Sequence, residues 1–179
     1  MKWLIGLLAV LTASCIGTSA FAQKGTGIPG EIVQELNWIV GTWKAEGKVG
    51  DDTQTGEFAC RWATTKSKLG VCLIGRFSYT TGDETRSGVT LIGWNAAKKC
   101  IEDRGFSDTG GNGTLYWFIE SDTKWRGEII RVVDGETIKA KADLIKKGDS
   151  EIVLESESED GEVSRVVYKK VQRKRKQKK

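Results

Sequence analysis

The residues best equipped for chemistry are two arginines set beside aromatics, Arg61 next to Trp62 and Arg76 next to Phe77. A guanidinium in an apolar setting can hold a carboxylate through a bidentate pair. Aromatic walls with a few convergent polar groups are the usual lining of a small-molecule site. The candidate lining is Arg61, Trp62, Arg76, Phe77, Tyr79, Trp94, Phe106, Trp117, Trp125 and Tyr168. It implies a small apolar or amphipathic ligand with an acidic head group. The competing reading is a solid core filled by the same aromatics, with Arg61 stacked on Trp62. Trp38 and Trp43 belong to the core on either reading.

The chain has 179 residues, 28 Lys+Arg against 24 Asp+Glu, and no histidine. Without histidine there is no Ser-His-Asp or Cys-His set, no His-ligated zinc and no haem held by a proximal His. Acid/base work near neutral pH would fall to tuned carboxylates, Lys or Tyr. No pair of carboxylates stands out, so no catalytic residue, metal or cofactor is assigned and an enzyme is the least supported class. The stretch from Asp108 to Glu120 fails the calcium-loop count, since Gly110 and Ile119 occupy the third and twelfth positions. A Gly-rich turn explains it better. Cys100 as a reactive thiol would need activation by Lys98 or Lys99.

Residues 1–22 have the form of an export signal: Lys2, an apolar run from Leu4 to Val10, and Ala20-Phe21-Ala22 as a cleavage pattern. The expected location is therefore periplasmic or extracellular. Thr12 occupies the place where a lipoprotein signal prefers Leu, which counts against an anchor at Cys15. Beyond the signal three cysteines remain, Cys60, Cys72 and Cys100. A hairpin centred on Lys66 would set Cys60 opposite Cys72, within disulfide reach. A one-residue shift of register would instead leave two small buried thiols on opposite faces.

Elements that could position these residues are legible in the punctuation. Pro29 to Val40 carries apolar residues at helical spacing, Ile32, Val33, Leu36 and Ile39, with Pro29 suited to the first turn. From Thr42 onward, β-branched and aromatic segments are broken nine times by turn residues, among them Asp134-Gly135 and Asp160-Gly161. Nine breaks give ten strands, too closely linked for crossover helices. Ten meandering strands need closure to remove exposed edges, so the expected fold is all-β, a ten-stranded antiparallel up-and-down barrel with one short N-terminal helix, over residues 23–171. Ile138, Ala140, Ala142 and Leu144 share one face, a small inward set that leaves room inside. Glu155, Glu157 and Glu159 form an outward, solvated row.

The segment Leu36-Asn37-Trp38-Ile39-Val40-Gly41-Thr42-Trp43 resembles the opening of lipocalin-like and fatty-acid-binding-protein-like barrels, whose Gly-x-Trp closes the base. Cys60-Arg61-Trp62, Ile92-Gly93-Trp94-Asn95, Phe106-Ser107-Asp108-Thr109-Gly110-Gly111 and Trp125-x-Gly127 are similar to an uncharacterised family of secreted bacterial lipocalin-like proteins. Asn95 and Arg104 depart from it, standing where that family usually has Asp and Trp. The resemblance implies the barrel and export but no established activity. In that family the barrel often follows a SnoaL/nuclear-transport-factor-2-like cone domain, which needs several helices where this chain shows one. Nitrobindins share the fold, but their proximal histidine has no counterpart here. The helical lid of fatty-acid-binding proteins is replaced by a tight turn at Gly50-Asp51-Asp52-Thr53.

Charge is concentrated at the end of the chain, where Lys169, Lys170, Arg173, Lys174, Arg175, Lys176, Lys178 and Lys179 follow a barrel with more acids than bases. Such a segment, residues 169–179 with 172–179 as a disordered tail, can lie on an anionic membrane surface or polymer, or be a solvated terminus. Export argues against nucleic acid as a partner. Two functions follow: an exported barrel that binds a small molecule, and a non-enzymatic envelope protein acting through its surface and tail.

Overall fold

The computed structural model describes residues 27–64 and 70–172. The segment read as an export signal, residues 65–69 and the tail from residue 173 onward lie outside the described residues. Helix α1 (Gly30–Ile39) is followed by ten strands: β1 (Gly41–Val49), β2 (Asp52–Thr64), β3 (Gly70–Thr81), β4 (Glu84–Asn95), β5 (Cys100–Ser107), β6 (Asn112–Ser121), β7 (Lys124–Val133), β8 (Glu136–Lys146), β9 (Glu151–Ser158) and β10 (Val163–Lys170). Each strand pairs antiparallel with its sequence neighbours, and β10 returns to β1 with Trp43 opposite Lys170, closing the barrel. The nine links fall where the turn residues stand. At the β7–β8 link Asp134 and Gly135 both have positive φ, 53° and 83°, as a two-residue hairpin of matching twist requires.

The two ends of the barrel are built differently. At the base, α1 lays Ile32, Leu36 and Ile39 against inward residues of the wall, among them Leu73, Ile92, Ile101, Trp117, Trp125 and Ala142. Leu36, Trp43, Leu73, Ile101 and Trp125 retain almost no accessible surface. Hydrogen bonds fix the plug as well. The Trp43 indole N–H donates to Ile39 O at 2.7 Å, the Trp62 indole to Asn37 Oδ1 at 2.7 Å, and Lys170 Nζ to Trp38 O at 2.9 Å. A lysine on the last helical carbonyls also complements the negative end of the helix dipole. On the other side of α1, Glu35 accepts from the Trp125 indole at 3.1 Å and pairs with the buried Lys146. The mouth, at the opposite end, is framed by the hairpin turns of β1–β2, β3–β4, β5–β6, β7–β8 and β9–β10, with no helix over it among the described residues.

Candidate functional site

In a pleated strand, alternate residues face the same side, and the buried residues set the phase of each strand. Trp43 and Ala45 point in on β1, Cys60 on β2, Leu73 on β3, Thr90 and Ile92 on β4, and Ile101 on β5. By that phase Phe58, Phe77, Tyr79, Asp103, Leu154 and Tyr168 also point in. These six keep intermediate accessibility, and Phe58 and Leu154 also pack on the base core. Phe77, Tyr79, Asp103 and Tyr168 stand above that core, in the mouth half of the interior.

Small residues seat the aromatic rings there. Along one register row Tyr79 lies opposite Gly56, Gly56 opposite Ala45, and Ala45 opposite Tyr168. The two tyrosines meet edge to face across this gap, ring centroids 6.3 Å apart. A Cβ on Gly56 would stand 2.3 Å from Ser78 O and 2.4 Å from the Tyr79 ring. The Phe77 ring occupies the same kind of position over Gly88, at 2.5 Å from a notional Cβ, and stacks on Tyr79 with centroids 5.6 Å apart. Glycine under a cross-strand aromatic is a device that lets a barrel wall bend while the ring covers its backbone.

Asp103 of β5 is the polar group in the mouth half of the interior. Thr90 Oγ1 donates to its carboxylate and also lies 3.0 Å from Arg104 O. Burial pushes the Asp103 carboxyl up to about 7, since an ionised acid loses hydration in low dielectric. Its charge is felt by both phenols and by the Cys60 thiol. Tyr79 and Tyr168 are both held above the ordinary tyrosine value, first by burial. Among the described residues Asp103 forms no ion pair.

The candidate lining divides three ways. Phe77, Tyr79 and Tyr168 face the mouth half of the interior. Trp62, Trp94, Trp117 and Trp125 face in but belong to the base: Trp125 is fully buried, Trp117 nearly so, and Trp94 packs on the same core. Arg61, Arg76 and Phe106 point outward, Phe106 with 64% of its surface exposed. The expectation of an arginine anchor inside the barrel is thereby corrected, because each arginine precedes an inward aromatic and the pleat sends neighbours to opposite faces. With it goes the argument for an acidic head group.

The cysteine pairing is corrected too. The β2–β3 register runs three residues further than a hairpin centred on Lys66 requires, setting Cys60 opposite Gly75 and Cys72 opposite Ala63. Cys60 points in and donates to Ile39 O at 3.2 Å, while Cys72 faces out, and neither is bridged to a described cysteine. Burial raises the Cys60 thiol to about 11 and shifts Cys100 upward as well, the direction of an unreactive thiol. Lys98, one of the two lysines that could activate Cys100, sits 3.5 Å over the Tyr116 ring.

Asp103, Thr90 and Phe58 were absent from the sequence-based lining. The alternation Ile101-x-Asp103-x-Gly105 carries the signal, but an acid in a strand is ordinarily read as an outward residue. An external groove of about 650 Å³ between Lys44, Thr55, Glu151 and Lys169 lies on the outer wall. Its mixed charge assembles no recognisable chemistry.

Against known proteins, the chain's likeness is one of fold. A redesigned β barrel, mFAP1, bound to DFHBI, is 14% identical over 75% of this chain and 97% of its own, with a TM-score of 0.42. A second redesigned barrel, mFAP0, also bound to DFHBI, is 14% identical over 74% of this chain and 99% of its own, at 0.40. A fluorescence-activating β barrel designed de novo is 13% identical over 76% of this chain and 96% of its own, at 0.38. No protein-family model matches the chain, and no curated protein matches it.

Proposed function

We propose that this protein is an exported lipocalin-like barrel that carries a small apolar or amphipathic molecule in the mouth half of its interior. The observation that supports this reading is the accessible surface retained by Phe77, Tyr79 and Tyr168, side chains that point inward in the mouth half. A mouth framed by hairpin turns alone, among the described residues, gives such a molecule a route in. Export rests on the sequence of residues 1–22 alone. Native mass spectrometry of the protein purified without detergent from an exporting host tests the reading. A discrete added mass that organic extraction removes is the expected result. A mass that stays bare even after incubation with lipid and aromatic extracts would overturn it.

A second reading, an envelope protein acting through surface contacts, has one observation of its own. Val89, Leu91 and Phe106 are all more than half exposed on the outer wall of β4 and β5, and Arg76 pairs with Val89 in register. The chain also leaves β10 at the base, so a tail on anionic lipid would leave the mouth free. Lys170 is withdrawn from that role by its bond to Trp38 O. Loss of co-sedimentation with anionic vesicles on deleting residues 172–179 would support this reading, and unchanged co-sedimentation would count against it.

A further inference from the structure

We infer that the mouth half of the interior selects a ligand bearing a basic amine, with the Asp103 carboxylate as its partner and Phe77, Tyr79 and Tyr168 as the aromatic cage around the ammonium. This rests on the reading of the barrel as a ligand carrier and names the class of ligand.

Three features point the same way. First, the interior carboxyl of Asp103 has no ion-pair partner among the described residues. Lys170 is turned to Trp38 O, and the two arginines beside the aromatics are outside. Two arginines of inward phase sit nearer the mouth: Arg86 of β4 pairs with Glu84 at 3.0 Å, and Arg131 of β7 is exposed with its side chain over Gly113. Second, only Thr90 hydrogen-bonds the Asp103 carboxylate among the described residues. No buried side-chain oxygen among them is left without a partner, so the capacity still free on Asp103 faces accessible space. Third, the walls are aromatic faces, which attract a cation that has lost part of its water. A fatty acid would meet the opposite arrangement, an acid facing an acid.

The ionisable groups around Asp103 are few, and the inward-phase arginines toward the mouth, Arg86 and Arg131, stay charged throughout the pH range. Cys60 on β2, Tyr79 on β3 and Tyr168 on β10 are all held neutral by burial at physiological pH. The neighbours paired with Asp103 on β4 and β6 are Ile92 and Leu115, both apolar. A change in affinity near pH 7 would therefore report Asp103 itself. Binding an ammonium favours the ionised carboxylate, so amine affinity should rise as the pH rises through its pKa.

Three dansyl probes share one apolar body and differ in head group: monodansylcadaverine is a cation, dansylamide is neutral and dansylglycine is an anion. Fluorescence titration of the purified protein at pH 8 is expected to rank them in that order, with the amine at least about tenfold tighter than the acid. Lowering the pH to 6 is expected to weaken the amine by about tenfold and leave dansylamide unchanged. Asp103→Asn should remove both the preference and the pH dependence, so that the amine binds that variant no better than dansylamide does. If the variant fails to fold, the three-probe pH profile of the unmodified protein still decides. Dansylamide binding with no preference for the amine would overturn the inference and leave the carrier reading standing. If no probe binds at either pH, the carrier reading falls and this inference with it.

Discussion

The two halves of the barrel interior use the same aromatic residue types to opposite ends. In the base, Trp43, Trp62 and Trp125 each spend their indole N–H on α1, and Trp43 and Trp125 are fully buried. In the mouth half, Phe77 and Tyr79 lie over glycines, and Tyr168 meets Tyr79 across Gly56 and Ala45. Glycine under a ring is common to both halves, since Trp62 lies over Gly70 and Trp117 over Gly127. What the base adds is a helix that takes up indole N–H groups and seals the end, which the mouth half lacks among the described residues.

The contrast can be broken most forcefully at the base. Trp125→Ala empties a fully buried site and strands Glu35 beside Lys146, so a loss of about 3–5 kcal/mol is expected in urea unfolding. Phe77→Ala, which faces accessible space, should cost clearly less. Equal losses would mean that the mouth half is packed like the base.

Charge sharpens the comparison next. Asp103 holds its proton to about pH 7 in the folded chain, whereas unfolded it ionises near pH 4. The folded state therefore binds more protons between these values, and stability should fall as pH rises from about 4 to 7. Asp103→Asn should flatten that decline and exceed the parent at pH 8 by up to roughly 4 kcal/mol. Thermal unfolding across pH 4–8 would show it, and a parallel decline in both proteins would clear Asp103 of the effect.

Glycine offers a smaller test. Gly56→Ala places a methyl against Ser78 O and Tyr79, with an expected loss of about 1–3 kcal/mol from strain in the wall. Should the variant match the parent in urea, the wall is looser there than its backbone spacing implies. The smallest effect is expected from a reductant. With Cys60, Cys72 and Cys100 free, dithiothreitol should leave the melting temperature of the oxidatively purified protein where it was.

The ten strands and the helix were legible because turn residues and alternation are local signals. Asp134-Gly135 announces a hairpin without reference to anything distant. The inward faces of β8 and β9 were legible for the same reason, since Ile138, Ala140, Ala142 and Leu144 alternate cleanly with charged residues. The site was only half legible. Arg61 with Trp62, and Arg76 with Phe77, are adjacent pairs that a strand must divide, so alternation alone could have removed one of each. Asp103 was hidden by a different cause. Its environment comes from Thr90, Tyr79 and Tyr168 on three other strands, and only the assembled register brings them together. The β2–β3 register likewise depends on strand length around residues that offer no strong turn pair, and the proposed cysteine bridge failed there.

The attachment of α1 to the barrel has a consequence for the order in which the molecule is made. Its partners Lys146 and Lys170 stand on β8 and β10, while the helix itself precedes every strand. The earlier-synthesised element is thus anchored to some of the last, and the seam between β1 and β10 joins the two extremes of the fold. Such sequence-distant contacts raise contact order and slow folding. Until β10 arrives, the nascent sheet has two open edges and the apolar face of α1 has no complete seat. If residues 1–22 direct export as proposed, this delay would help the chain stay unfolded long enough to be translocated.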